Sequence, residues 1–306
     1  MDVTVIVCTH NPRKDYLERV MQGLKDQSLE RGRWELLVVD NASKEPVCER
    51  LNLDWHPGGR CVREERLGLT EARLRGIRES RGELLVFVDD DNVLGPGYLE
   101  TALHLGKDWT RIGVYGGGIR PEFEHAPPER VRPYLGHLAL REVEKPRWSN
   151  LPTASDSEPW GAGLCIRRRV AEAYVAYSLE KPNRLSDRRG TQLDSGGDTE
   201  ICMVALGAGW GMGVFPELQI THLIPACRLE ESYLLRLVEG LEFSWALIGH
   251  RFRGTHLRSG WTVGGLLRFL RDWIGSSGLE RKMCLARFRG RERACRELAR
   301  ARDFSL

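Results

Sequence analysis

Residues 83–94 read ELLVFVDDDNVL, and the chemistry of this stretch decides how the rest of the chain is read. Five consecutive apolar residues, Leu84 to Val88, run straight into Asp89, Asp90 and Asp91. An unbroken apolar run with polar ends suits a strand buried on both faces. Adjacent carboxylates repel, and each needs water, hydrogen-bond donors or a cation. Three readings compete. Asp and Asn favour turns, so the triplet can be a solvated strand-to-turn junction. It can carry a phosphorylated aspartate. Or it can be a D-x-D that sets Asp89 and Asp91 on the same side of a turn, where a divalent cation binds.

The pattern of apolar run and polar end recurs upstream. VTVIVCT (3–9) and ELLVVD (35–40) are buried strands, and GRCVREE (59–65) is a weaker third. In the segment 15–29, Leu17, Val20, Met21 and Leu24 share one helical face, and LTEARLRGIRES (69–80) predicts a second helix. Such alternation predicts a Rossmann-like α/β fold, with a mostly parallel sheet flanked by helices. Ligands bind these sheets beyond the carboxyl ends of the strands. Those ends carry Thr9-His10-Asn11, Asp40-Asn41-Ala42-Ser43 and the aspartate triplet. Three polar clusters converge on one edge.

The second half is less regular. Strands are expected at 112–120, 160–168 and 214–222, with a loop leading into a helix over 196–211. Residues 121–159 are rich in Pro, Glu and Arg and show little periodicity. An amphipathic helix is expected over 229–248 from Leu234, Leu237, Val238, Leu241 and Trp245.

Composition sets the limits. The 306 residues are 41% hydrophobic and 29% charged, ordinary for a globular enzyme, and the net charge is +3. That charge is unevenly spread: residues 249–306 hold fourteen basic against five acidic side chains, a net +9, leaving −6 on the remainder. LLRFLRDWIG (266–275) and the Arg-rich 281–302 predict basic amphipathic helices. These either dock on an anionic membrane surface or pack as helices with a solvated face. Nucleic acid is not an expected partner, because no reader motif accompanies the arginines. The eight cysteines form no CxxC pair and no zinc spacing with histidine. With no disulfide framework, no secretory signal at the N-terminus and no apolar run near the ~20 residues of a span, the expected location is cytoplasmic, peripheral at the inner face of the membrane if the tail docks there.

Taken in order, VIVCTHN, LLVVDNAS, GELLVFVDDDNVLGPGYL, WGAGLCIRR and GGDTEICMVALGAGW resemble the family 2 inverting glycosyltransferases of GT-A fold, over residues 1 to about 225. The resemblance implies a catalytic domain over 1–225, with a nucleotide-sugar half (1–120) and an acceptor half (121–225), followed by a helical basic extension over 226–306. It assigns Thr9, His10, Asn11, Asp40, Asp89 and Asp90 to the nucleotide sugar, with Asp40 at the base and Asp89 at the ribose. Asp91 and His222 fall on metal positions for Mn²⁺ or Mg²⁺, Asp198 on the catalytic base, and Trp160 and Gly161 on the acceptor side. The implied partners are a UDP-linked donor and a glycan or lipid-linked acceptor, as in bacterial-type polysaccharide synthesis.

The sequence departs from the family at several points. His10 stands where Tyr is frequent, Cys8 where Pro is common, Leu74 where Asn is often found, and Gly197 where Glu often precedes the base. Simpler roles remain open: Asp40 as a turn former, Asp198 and Glu200 complementing a helix dipole, His222 as a structural histidine and Trp160 as core. Two other functions remain open too. One is a haloacid-dehalogenase-like phosphatase with Asp89 as nucleophile, though Cys202 and Met203 stand where its last motif wants a second acid. The other is a catalytically inactive nucleotide-sugar-binding protein.

Overall fold

The computed structural model describes residues 1–180, 187–188, 190 and 192–303. They group into two compact units. The first comprises Met1–Glu124, Ala139–Arg184 and Gly197–Ile224, and the second His125–Leu138, Leu185–Gly196 and Pro225–Leu306.

The first unit is built on one sheet, in which β1 (Val3–Thr9) lies between β2 (Trp34–Asn41) and β4 (Leu84–Asp89), and β3 (Gly59–Glu64) extends the β2 side. These four strands are parallel. Every residue of β1 and β2 is buried, which is why their sequences are continuous rather than alternating. Helices α1 (Lys14–Lys25) and α2 (Leu69–Glu79) are the connections between them, as their periodicity predicts. Helix α3 (Tyr98–Asp108) follows the aspartates and buries Leu99, Ala102 and Leu105.

Beyond β4 the sheet is mixed rather than mostly parallel. After β5 (Asn92–Leu94), the strands β6 (Ile112–Phe123), β7 (Arg147–Ser149), β8 (Cys165–Arg167) and β9 (Gly211–Ile224) complete the order β3-β2-β1-β4-β8-β6-β9-β5, with β7 paired to β9. Strand β8 runs antiparallel to both β4 and β6, and β5 runs antiparallel to β9. The expected strand over 160–168 contracts to three residues, because 160–164 form a turn with Gly163 at φ 70°. The antiparallel register Val86↔Cys165 has a useful consequence: it carries that turn past the carboxyl end of β4, to the edge where the aspartates lie. Helices α4 (Arg168–Glu180) and α5 (Gly197–Gly207) then lead into β9.

The cysteines require one correction. Cys48 and Cys61 form a disulfide, with Cα atoms 5.3 Å apart. A helical turn at Val47–Glu49 lies beside β3, a neighbourhood that spacing alone does not show. The absence of disulfides therefore no longer supports a reducing compartment. Among the described residues no helix is long and apolar enough to cross a membrane.

The second unit is helical. Residues 129–138 form a 3-10 stretch, and α6 (Glu231–Phe252), α7 (Val263–Ile274) and α8 (Gly278–Asp303) follow. Phe243, Leu247 and Ile248 of α6 meet Ala294 of α8 in a small core. Gly290 permits the close approach, since a Cβ there would lie 2.3 Å from the carbonyl oxygen of Glu239.

One buried histidine gives the first unit a pH dependence. His56 lies edge-on to buried Trp34 at 4.1 Å, and its Nδ1 accepts from Gly58 N at 3.0 Å. Burial, reinforced by Arg31 and opposed by Glu35, pushes its pKa down to about 4. The unfolded imidazole titrates near 6.5. Between those values the unfolded chain binds the extra proton, so His56 supports the fold fully above pH 6.5 and loses that support as pH falls toward 4. The difference in urea midpoint between the wild-type chain and His56→Gln should therefore shrink from pH 7 to pH 4.5. A constant difference would show an ordinary imidazole.

Candidate active site

The carboxyl ends of β1 and β2 lock to each other. Asn11 and Ala42, just past the two strands, both adopt left-handed backbone, at φ 49° and 52°. Neither is glycine, so the strain is held by specific bonds. Asn11 N donates to Ser43 Oγ at 2.9 Å, and Lys44 N donates to Asn11 Oδ1 at 2.9 Å. His10 Nδ1 lies 2.6 Å from the Asn41 carbonyl, and its Nε2 lies 2.8 Å from Asn11 Nδ2. The His10 ring is thus fixed at a half-buried edge between two strand ends.

Asp40, which the resemblance places at the base, lies at the carboxyl end of β2. It is fully buried. Its Oδ1 accepts from Ser43 N at 3.1 Å, and its Oδ2 accepts from Val47 N at 3.1 Å and Arg63 Nη1 at 2.8 Å. Burial alone would raise this carboxyl, but the hydrogen bonds from Ser43 and Val47 and the Arg63 charge hold it below the ordinary carboxylate range. Asp40 shapes the loop from inside, and half-buried Arg63 is the group it presents outward.

The aspartate triplet is split between two partners. Thr9 Oγ1 donates to Asp90 Oδ2 at 2.5 Å, tying β1 to the turn after β4. Asn92 Nδ2 donates to Asp91 Oδ1 at 2.7 Å and reaches Asp89 Oδ2 at 3.4 Å. Strand β5 turns straight back to pair with β9, with Asn92 opposite His222 and Leu223 N donating to the Asp91 carbonyl at 2.8 Å. That register brings His222 Nε2 to 3.6 Å from Asp91 Oδ2, and both side chains are buried. No cluster of three or more acids, histidines or cysteines able to hold a metal occurs among the described residues. Asp91 and His222 are a pair, not a cage.

Asp198 stands in the first turn of α5. Its Oδ1 accepts from Thr199 N at 2.9 Å and its Oδ2 from Gly161 N at 2.8 Å. Gly161 therefore positions the acid. A Cβ there would lie 2.4 Å from Arg73 Nη2, so the glycine also leaves room for that guanidinium. Trp160 is not an open stacking face. It packs against the core, and Arg141 lies over its ring at 3.9 Å. Glu200 is fully buried against Tyr174 and Tyr177, which makes it structural.

Three charged residues near the acids escape the sequence reading. Arg73 is buried on α2 beside Gly161 and 5.8 Å from the Phe87 ring. It falls on the same stripe as Thr70 and Ile77, and a charge inside an apolar stripe is the signal that points to it. Arg141 is anchored by a bridge to Ile119 and donates to the Glu158 carbonyl at 2.6 Å. Burial lowers its pKa, while Glu158 and Asp198 pull it back up. Glu158 itself accepts from the Thr199 hydroxyl. Neither Arg141 nor Glu158 lies in a periodic segment, so no sequence signal marks them.

A Rossmann-like half-sheet, an acid triplet at its edge and Asp198 at the start of α5 outline a polar site beyond the carboxyl ends of the strands. Comparison with known proteins gives the class. The model of the glycosyl transferase family 2 matches residues 4–153, and the chain carries a domain of that family in a GT-A-like fold. It is 30% identical over 112 residues to polypeptide N-acetylgalactosaminyltransferase 14 of Homo sapiens, covering 36% of this chain and 20% of that protein. It is 23% identical over 175 residues to dolichol-phosphate mannosyltransferase of Pyrococcus furiosus, covering 56% and 48%. The matches thus span less than half of those relatives. Among solved structures it superposes on S. aureus TarS 1–349 in complex with UDP-GlcNAc with a TM-score of 0.55, at 14% identity, covering 97% of this chain and 92% of that one. The family match sets aside the phosphatase alternative.

The buried donors around Asp40 make its removal costly. Asp40→Ala should lower the unfolding free energy by about 1–3 kcal/mol, since Ser43 N, Val47 N and Arg63 lose their acceptor. Asp40→Asn should lose less, because one acceptor oxygen remains. Urea denaturation of the two variants measures this, and a change under about 0.5 kcal/mol in both would show that the loop holds its own shape.

Proposed function

We propose that the chain transfers a sugar from a UDP-linked donor to an acceptor hydroxyl with inversion, assisted by Mn²⁺ or Mg²⁺. The observation that carries this is the β5–β9 register, which sets His222 beside Asp91 at the sheet edge where Thr9 and Asp90 meet. One carboxylate and one imidazole suit a cation that takes its other ligands from substrate phosphates and water, as Mg²⁺ commonly does. Asp91 and His222 would hold that cation, which when bound offsets charge on the departing diphosphate. The choice of UDP draws on the TarS complex with UDP-GlcNAc.

On this reading the protein's own groups divide the work. Thr9, His10, Asn11, Asp89 and Asp90 line the nucleotide side, and Asp40 holds their loop. Asp198 takes the proton from the acceptor hydroxyl as that oxygen attacks the anomeric carbon, and the diphosphate leaves from the opposite face. Each Asp198 oxygen accepts one backbone N–H, which fixes the carboxylate and leaves a lone pair on each for the incoming proton. The acceptor we infer is a glycan or a lipid-linked saccharide.

Two measurements test this reading. UDP with Mn²⁺ should raise the melting temperature, by the equivalent of roughly 2.7 kcal/mol at a hundredfold excess over Kd. UDP alone should give little shift, because no cation would then stand between the diphosphate and the carboxylates. Asp91→Ala should abolish the Mn²⁺ dependence, and an unchanged shift in that variant would remove the metal assignment. Asp198→Asn should keep the shift while transfer falls by about 10²–10⁴. Loss of UDP binding with normal turnover would place Asp198 on the nucleotide instead.

A further inference from the structure

The two basic helices of the second unit turn out to be unlike. Helix α8 is packed. Met283, Ala286 and Ala294 are buried, Arg293 lies over the Phe243 ring at 3.7 Å and pairs with Asp194, and Arg287 pairs with Glu280 at 2.9 Å. Helix α7 buries no residue at all. It meets α8 through Phe269 on Phe288 at 4.6 Å and through Arg281, whose Nε donates to the Trp273 carbonyl at 3.3 Å. The turn before it is pinned by buried Glu292, which accepts from Ser259 Oγ and Gly260 N. Thr262 caps its first turn by accepting from Gly265 N at 3.2 Å.

The side of α7 away from α8 is apolar. Val263, Leu267, Leu270 and Ile274 recur at helical spacing and face solvent, Val263 being 79% exposed and Ile274 69%. Trp261 precedes this stripe and Trp273 borders it, both exposed. Exposed Arg271 and Arg268 flank it on the other side, and Arg281 lies over Trp273 at 4.4 Å. An exposed apolar face on an ordinary surface helix is the reverse of what burial of apolar area favours, so it marks a docking surface.

We propose that α7 lies flat on an anionic phospholipid bilayer, with Val263, Leu267, Leu270 and Ile274 in the acyl region and Arg268 and Arg271 at the headgroups. Charge selects this occupant. Residues 249–306 carry +9, and arginines flank the stripe itself, which complements a negatively charged leaflet. A second copy seated on the same face would add its own Arg268 and Arg271 to the margins of the seam, where like charges repel. Tryptophans at the margins suit the boundary between headgroup and acyl chain. Twelve residues are too few to span the hydrocarbon, so the helix rests on the surface. The inference stands on α7 alone and does not depend on the proposed chemistry.

Vesicle flotation of the full chain tests it. Vesicles of phosphatidylcholine with about a third phosphatidylglycerol should capture the protein, and phosphatidylcholine alone at least tenfold less. Leu267→Glu with Ile274→Glu should abolish capture by at least tenfold while leaving the melting temperature unchanged, since both positions are exposed. Arg268→Gln and Arg271→Gln should each weaken it about fivefold. Equal capture of the Leu267→Glu/Ile274→Glu variant, or no capture of the wild-type chain, overturns the proposal. So does a dimer in sedimentation velocity that this variant dissociates, which would assign the face to a second copy.

Discussion

Three carboxylates in a row at the end of a buried strand cannot be left to face one another, and much of the first unit answers that constraint. Asp90 is drawn toward β1 by the Thr9 hydroxyl, while Asp91 and Asp89 share the Asn92 amide. For Asn92 to reach both, the chain must turn back at once, and β5 does so by pairing antiparallel with β9. That return ties the outermost pair of the sheet to its middle and delivers His222. It also needs room, which Gly23 on α1 supplies: a Cβ there would come within 2.7 Å of the Val93 side chain. The site geometry is therefore a consequence of separating like charges.

The same edge concentrates backbone strain. Two non-glycine residues in left-handed conformation cost roughly 1–2 kcal/mol each in isolation. Here Asn11 and Ala42 stand at the ends of neighbouring strands, and the bonds among Asn11, Ser43 and Lys44 run between the two loops. Each loop holds the other in a conformation neither would choose alone. Asp40 completes the arrangement from beneath, with Arg63 of β3 as its counterion. The disulfide between Cys48 and Cys61 lies in the same two segments that supply Val47 N and Arg63 to Asp40. The ends of β1 and β2, the turn at Val47–Glu49 and β3 thus fix one loop, so a nucleotide arriving there would meet a surface already organised.

How far the sequence discloses this depends on whether the information is local. Strands β1, β2 and β4 are legible because both faces are buried and their runs are unbroken, and α1 and α2 because their apolar positions repeat at helical spacing. The acids at the strand ends are legible for the same reason. Pairing across the sheet is not local. Nothing in WGAGLCIRR states that only Cys165–Arg167 form a strand, or that it runs antiparallel between β4 and β6. Asp40 and Trp160 show the other limit. Residue type and motif order assign both to the site, whereas the burial of Asp40 and the packing of Arg141 over Trp160 are set by residues distant in sequence.

The C-terminal helices carry this distinction furthest. Read as sequence, 266–275 and 281–302 have the same character, arginines set among apolar residues at helical spacing. Periodicity reports that a helix has an apolar face, and says nothing of what that face meets. For α8 it meets α6, where a glycine at 290 lets the backbones approach and small residues such as Ala294 fill the seam. The arginines of α8 are then spent on neighbours, Asp194 and Glu280 among them. For α7 the contacts with α8 run through Phe269 and Trp273, which lie off its main apolar stripe, so Val263, Leu267, Leu270 and Ile274 stay exposed. Equal patterns thus give unequal surfaces. The difference comes from which residue happens to anchor each helix, and from a turn held by one buried carboxylate, Glu292.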